Sequence, residues 1–192
     1  NNYIGLFQVD NEPGFLIPTL YNYVNRPDKT AEIVRKVLKK KYNTTPTGLP
    51  GNDDSGSMSA WYAFHSMGFF PNAGQDIYLI SSPVFKNTKI KLENGSVFEV
   101  KAPNASDENI YVQSAKLNGQ PLTRAWLKHD ETKNGGTLEF ETGNTPSTWA
   151  TDGEKLPSSP VGIDEISPKI ESPQVRIHSY SAKVGEGESP YI

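Results

Sequence analysis

The hydrophobic period of this chain changes once, near Gly74, and that change limits the fold to a helical part followed by a β part. Upstream, apolar residues recur at helical spacing. Residues 19–24, with a start near Ile17, place Leu20, Tyr23 and Val24 at i, i+3 and i+4. Arg26-Pro27-Asp28 breaks the run, and Pro27 and Asp28 suit the first turn of a second helix. That helix, over 28–42, carries the stripe Ala31, Ile33, Val34, Val37 and Leu38. It ends in lysines that suit the negative end of the helix dipole, so the basic run reads as a solvated terminus rather than a binding patch. A third helix over 57–67 places Met58, Trp61, Tyr62 and His65 on one face, widened by Ala60, Phe64 and Met67. Such a helix is buried over most of its circumference. Gly68 and Pro71 end it.

Downstream the signals are short strands. Residues 77–80 form an apolar run, 88–92 alternate, and 97–100 return after Asn94-Gly95, which predicts a type I′ hairpin turn. Residues 109–117 form a further strand before a second Asn-Gly pair, Asn118-Gly119, and 137–140 a short closing one. Beyond Asn144 the chain is polar and rich in proline, with one strand candidate at 174–179. The predicted class is α+β in three segments. Residues 1–75 are helical, 76–143 form antiparallel β-structure as a partial sandwich, and 144–192 form an extended tail or linker.

A chain of 192 residues with net charge -3 can bury one substantial core, and gives no reason to expect nucleic acid or an anionic membrane as partner. No apolar run reaches the length of a membrane-spanning helix. Without cysteine there is no disulfide framework. The opening NNYIGLFQVDNEP has neither an initiator methionine nor a leader pattern, and reads as the interior or C-terminal part of something longer. Three N-glycosylation sequons begin at Asn43, Asn94 and Asn104, and Pro46 directly after the first weakens it.

Chemistry concentrates in residues 48–71, GLPGNDDSGSMSAWYAFHSMGFFP, where Asp53 and Asp54 lie in a Gly-rich loop before the apolar third helix. Acids there could simply cap the helix, although Ser57, nearer its start, is a better cap than either. The aromatics Trp61, Tyr62, Phe64, Phe69 and Phe70 could stack on sugars, but at helical spacing they read as core. His65 reads as a satisfied interior residue, and His129 and His178 form no metal-ligand spacing.

The stretch from Gly51 through Asn52-Asp53-Asp54 to Met58-Ser59-Ala60-Trp61-Tyr62 resembles the glycoside hydrolase family 92 α-mannosidases. So does an upstream match, Asp10-Asn11-Glu12-Pro13 followed by Ile17-Pro18 and Leu20-Tyr21-Asn22-Tyr23. The resemblance covers residues 3–80 closely and continues loosely to about residue 150. It implies that the helices are the last ones of an (α/α)6 barrel, and that the chain is the C-terminal portion of a catalytic module whose N-terminal remainder is its partner.

It further implies a secreted or extracellular, calcium-dependent exo-α-mannosidase that inverts configuration, acting on mannose-containing oligosaccharides with α-1,2 linkages. An inverting glycosidase needs a base and an acid about 6.5–9.5 Å apart. By the resemblance Asp54 is the base. Asn52 stands where the family often has an acid, so it keeps hydrogen bonding to the water but not proton acceptance. Asp53 is expected to point the other way and is carried as structural or substrate-binding. Asn11 and Glu12 fall to the substrate or the Ca²⁺ shell, for which hard oxygens are suited. The family's general acid belongs to a segment upstream of this chain, so the chain alone is expected to be inactive. The competing readings are a non-catalytic carbohydrate-binding β-module and a structural fragment.

Overall fold

The computed structural model describes residues 3–4 and 7–157. The strand candidate at 174–179 lies outside them. Two short antiparallel strands, β1 (Tyr3–Ile4) and β2 (Phe7–Gln8), lead into 3-10 helices at Glu12–Gly14 and Ile17–Val24. Two α-helices follow, α1 (Pro27–Lys41) and α2 (Ser57–Met67). The rest is β-structure: β3 (Phe69–Pro71), β4 (Ile77–Ile80), β5 (Asn87–Lys91), β6 (Val97–Lys101), β7 (Tyr111–Leu117), β8 (Gln120–Leu122), β9 (Trp126–Lys128) and β10 (Gly136–Gly143).

Pro27 occupies the first turn of α1, where its missing N–H costs nothing, and Lys39, Lys40 and Lys41 occupy the last. Ala31, Val34, Val37 and Leu38 are buried as the stripe predicts. Arg35 is buried as well, because its guanidinium crosses to the β part, donating to the Pro83 carbonyl at 2.6 Å and to the Ser106 carbonyl. Gly68 stops α2 at φ 106°, and a Cβ there would sit 3.1–3.2 Å from Pro83 and Phe140 side-chain atoms, so glycine serves both the turn and the close approach of the sheet.

The segment Ile17–Val24 departs from expectation. It is 3-10, not α, and its apolar stripe faces outward: Leu20 is 50%, Tyr23 42% and Val24 65% exposed. Thr19 and Asn22 go inside instead. Asn22 Nδ2 donates to the carbonyls of Ile80 (2.7 Å) and Ala125 (3.0 Å), and its Oδ1 accepts from Thr30 Oγ1 at 2.7 Å. An amide turned inward needs such partners, and these bonds fix which face of the segment points to the interior.

The strands form a three-stranded sheet, β3-β4-β9, and a five-stranded sheet, β5-β6-β10-β7-β8. Pairing is antiparallel except that β10 runs parallel to β6, so the larger sheet is mixed rather than wholly antiparallel. Both sheets feed one core, in which Phe69, Ile80 and Leu127 meet Phe98, Val100, Leu122, Leu138 and Phe140. The two Asn-Gly turns differ. Asn118 and Gly119 both have positive φ, 51° and 79°, which makes the two-residue β7–β8 connection the type I′ turn. At Asn94-Gly95 only Gly95 does. Gly95 N–H bonds the Leu92 carbonyl and Leu92 N–H the Ser96 carbonyl, so the connection is a longer loop closed by a left-handed glycine. The chain after β10 hugs the sheets as far as Leu156. Trp149 Nε1 donates to the Leu122 carbonyl, Trp126 Nε1 to the Glu154 carbonyl, and Gly153 lies against the Thr123 carbonyl.

Candidate active site

The two motif loops meet. Gly51 lies so close to Asp10 that a Cβ on it would fall 2.3 Å from the Asp10 carbonyl oxygen and 2.9 Å from the Asp10 Cβ. Glycine is therefore required there by packing, at conventional φ. Thirty-four residues of sequence separate segments 10–13 and 48–56, yet they form one surface at the N-terminal end of α2.

Trp61 fixes that arrangement from below. Its indole Nε1 donates to the Phe15 carbonyl at 3.1 Å, just past the Glu12–Gly14 turn, and its ring stacks on Tyr42 at 5.8 Å with 3° between planes. Tyr42 Oη in turn donates to the Met58 carbonyl at 3.2 Å. Burial pushes the Tyr42 phenol well above its ordinary range, and the nearby Asp53 charge adds to the push, so Tyr42 stays a neutral donor. Phe15 also meets Phe70 edge-on at 6.4 Å. Trp61, Phe64, Phe69 and Phe70 are thus framework, as their spacing predicts. Tyr62, Ala60 and Ala63 are exposed, so α2 is not covered all round.

The acids of the loop have separate fates. Asp53 Oδ1 accepts from the Ser59 N–H at 2.8 Å, and its carbonyl accepts from Met58 N–H at 3.2 Å. Asp53, not Ser57, caps α2. The Ser57 hydroxyl instead donates back to the Asp54 carbonyl at 2.7 Å. Asp54 and Asn52 are exposed at the loop surface. Asp54 has φ 47°, Ser55 61° and Gly56 94°, three consecutive left-handed residues of which two carry side chains. Each such residue costs on the order of 1–2 kcal/mol, and strain of this kind gathers where geometry matters more than stability. The turn lifts Asp54 away from the helix that Asp53 caps.

In the upstream loop, Asn11 Oδ1 accepts from Glu12 N–H at 3.1 Å, and Glu12 is half-buried. Asn11 and Glu12 supply hard oxygens of the kind Ca²⁺ takes, but among the described residues no group of three or more His, Cys, Asp and Glu could hold a metal. The donor chemistry suits calcium and the donor number falls short of the 6–8 oxygens it takes.

Below the site His65 is fully buried, stacked on Phe70 at 4.7 Å, with Nδ1 3.1 Å from Ser81 Oγ. Burial lowers its pKa to about 3, so it is a neutral core residue. Tyr42 and Phe15 are positioning residues that the sequence does not single out, and Gly51, which opens the matched stretch, is positioned by a contact with Asp10 that the sequence does not show. A glycine directly before Asn52-Asp53-Asp54 is the one signal that could have flagged the close approach.

The comparisons with known proteins agree with one another. Residues 1–144 match the glycosyl hydrolase family 92 catalytic domain. A protein of the fungus Arthroderma benhamiae described as an uncharacterized secreted glycosidase is 41% identical over 157 residues, which are 80% of this chain and 20% of the relative. Among solved structures, a family 92 α-mannosidase of Bacteroides thetaiotaomicron in complex with mannoimidazole superposes with a TM-score of 0.79 at 36% identity, over 82% of this chain and 21% of that one. A family 92 inverting mannosidase of the same bacterium gives 0.72 at 38% identity, over 78% and 20%. The chain spans about a fifth of the length of these relatives.

Proposed function

The chain belongs to glycosyl hydrolase family 92, and on that premise we propose that it is the C-terminal part of the catalytic module of a secreted, exo-acting α-mannosidase. The enzyme removes terminal mannose, α-1,2-linked, from N-glycans or mannans with inversion. The observation that carries this reading is the contact of segments 10–13 and 48–56 through Gly51 and Asp10, with Asp54 exposed on a left-handed turn beside it. The mannosidases similar in fold and the fungal relative described as secreted support the substrate class and the location.

In this mechanism Asp54 takes a proton from the attacking water. Asn52, two residues earlier on the same exposed loop, hydrogen-bonds that water without competing for its proton. Asp53 holds the turn by capping α2 and, through its remaining carboxylate oxygen, bonds the substrate. Asn11 and Glu12 would hold Ca²⁺, with further oxygens from outside this chain; the ion supplies a positive charge that polarises sugar hydroxyls. The general acid comes from the N-terminal remainder of the enzyme, which also covers the outward apolar side chains of Ile17–Val24.

The alternative of a non-catalytic carbohydrate-binding β-module has less support, because Phe69, Phe98, Trp126 and Phe140 are all buried and unable to stack on a sugar. Hydrolysis of α-1,2-mannobiose by the longest native form, with and without EDTA, tests the proposal. Release of mannose that needs calcium and collapses in Asp54→Ala is expected. Undiminished hydrolysis by Asp54→Ala removes the base assignment, and mannose binding without hydrolysis in any form turns the reading toward a binding module.

A further inference from the structure

Three asparagines carry the Asn-X-Ser/Thr pattern, and the fold puts them in three different situations. Asn94 lies at the exposed tip of the β5–β6 connection. Its Oδ1 accepts both the Ser96 N–H at 3.0 Å and the Ser96 hydroxyl at 2.5 Å. The intervening Gly95 has φ 82° and no heavy atom within 4 Å of where a Cβ would stand, so the tip projects into open space. Its Nδ2 donates one hydrogen to the Lys133 carbonyl at 3.0 Å. A carboxamide nitrogen has two hydrogens, so the other is available without breaking that bond.

Asn43 makes the same turn, with Thr45 N–H and hydroxyl on its Oδ1 at 3.0 and 2.5 Å. Its loop is closed tightly, however. Asn43 N–H bonds the Gly48 carbonyl, and a Cβ on Gly48 would fall 2.0 Å from the Asn43 carbonyl oxygen. Asn43 also lines a cavity of about 410 Å³ with Leu38, Tyr42 and Tyr62 against α2, and Pro46 follows the sequon. Asn104 is exposed and also keeps a second amide hydrogen, but its sequon is held differently. Its amide donates to Glu141 at 2.8 Å, Ala105 between the sequon residues is core, and the Ser106 hydroxyl faces Glu108 rather than the asparagine.

We propose that Asn94 is the N-glycosylation site of this chain and that Asn104 is not one. The inference rests on the secretion reading above, but not on the catalytic one. The co-reactant is a lipid-diphosphate-linked oligosaccharide. The sugar C1 bonds to Asn94 Nδ2 as its bond to the diphosphate oxygen breaks. The lipid diphosphate leaves with the electron pair, and the nitrogen gives up one proton to a base of the transferring enzyme. The remaining N–H keeps Lys133, and the glycan extends from a tip that has room for it.

The test is secretion of the longest native form from a eukaryotic host, followed by site-by-site glycan mapping and treatment with an amidase that removes N-glycans. A glycan on the Asn94 peptide is expected, with the Asn104 peptide unmodified. Asn94→Gln and Ser96→Ala should each abolish the modification at this position, while Ser96→Thr retains it. Mannobiose hydrolysis by the same preparations reads the catalytic proposal separately, since no variant here touches the candidate active site. A bare Asn94 in the secreted wild-type protein, or a glycan on Asn104, overturns the inference.

Discussion

The β part closes its own core, whereas the helical part turns apolar side chains outward. Among the described residues, six of the large hydrophobics left exposed lie in the helical part, Ile17, Leu20, Tyr21, Tyr23, Val24 and Tyr62, and only Phe85 and Val97 lie beyond it. In the β part the fully buried Phe98, Leu138 and Phe140 interlock with residues of both sheets, and the segment up to Leu156 adds two tryptophan-to-carbonyl bonds. The difference teaches that the two regions answer to different demands. One is complete by packing. The other, in Ile17–Val24, turns polar groups such as Asn22 inward and presents an apolar surface of the kind that marks an interface. The candidate chemistry sits on the unfinished side.

The largest effect should come from Asp54. In the longest native form, Asp54→Asn is expected to lower kcat for mannobiose about 10²–10⁴-fold, the usual worth of a general base, with unchanged thermal stability because asparagine tolerates the left-handed backbone. The same replacement at Glu141, on β10, should leave kcat alone, and a comparable loss there would end the division of labour between the regions. Next, Phe98→Ala should cost about 3–5 kcal/mol in denaturant unfolding of the isolated chain, since Phe98 is only 2% exposed. A loss much below that would mean the β core is not the self-sufficient one.

Acid should separate the regions further. His65 has a folded pKa of about 3, below its unfolded value of about 6.5, so the unfolded chain binds more protons between those limits. Stability is full above pH 6.5 and falls by about 1.4 kcal/mol per pH unit as pH drops toward 3. Urea midpoints taken across that window should show the slope, His65→Gln should flatten it, and hydrogen exchange should place the loss in α2 before β6 and β10. The smallest effects belong to surface positions. Asn118→Ala, at φ 51°, should cost about 1 kcal/mol. Val24→Ser should stay within about 0.5 kcal/mol in the isolated chain yet weaken activity of the longest form, where that side chain meets its cover.

Much of this was legible in the sequence because it is local. The stripe of α1, the stop at Gly68 and the turn at Asn118-Gly119 each depend on a few neighbouring residues. What was not legible depends on distant ones. Leu20, Tyr23 and Val24 have helical spacing, and nothing near them reveals that the carbonyls of Ile80 and Ala125 will claim Asn22 for the interior. The parallel pairing of β6 with β10 is a choice between strands far apart in sequence, and β3 and β9 are too short to show a period. At the site, the acids could be found from their loop, but Asp53 took the capping role expected of Ser57 because the left-handed run before the helix moves the serine past the capping position. The contact of Gly51 with Asp10 leaves no pattern at all beyond a glycine.

Trp61 gives the molecule a built-in optical reporter. Its indole is stacked on Tyr42, bonded to the Phe15 carbonyl and 4.2 Å from His65, so its emission depends on whether the two motif loops are seated. The other tryptophans, Trp126 and Trp149, are bonded to carbonyls within the β part and report on that region instead. Replacing those two with phenylalanine would leave a single tryptophan at the junction of the loops, able on selective excitation to follow sugar or calcium arriving there without any added dye.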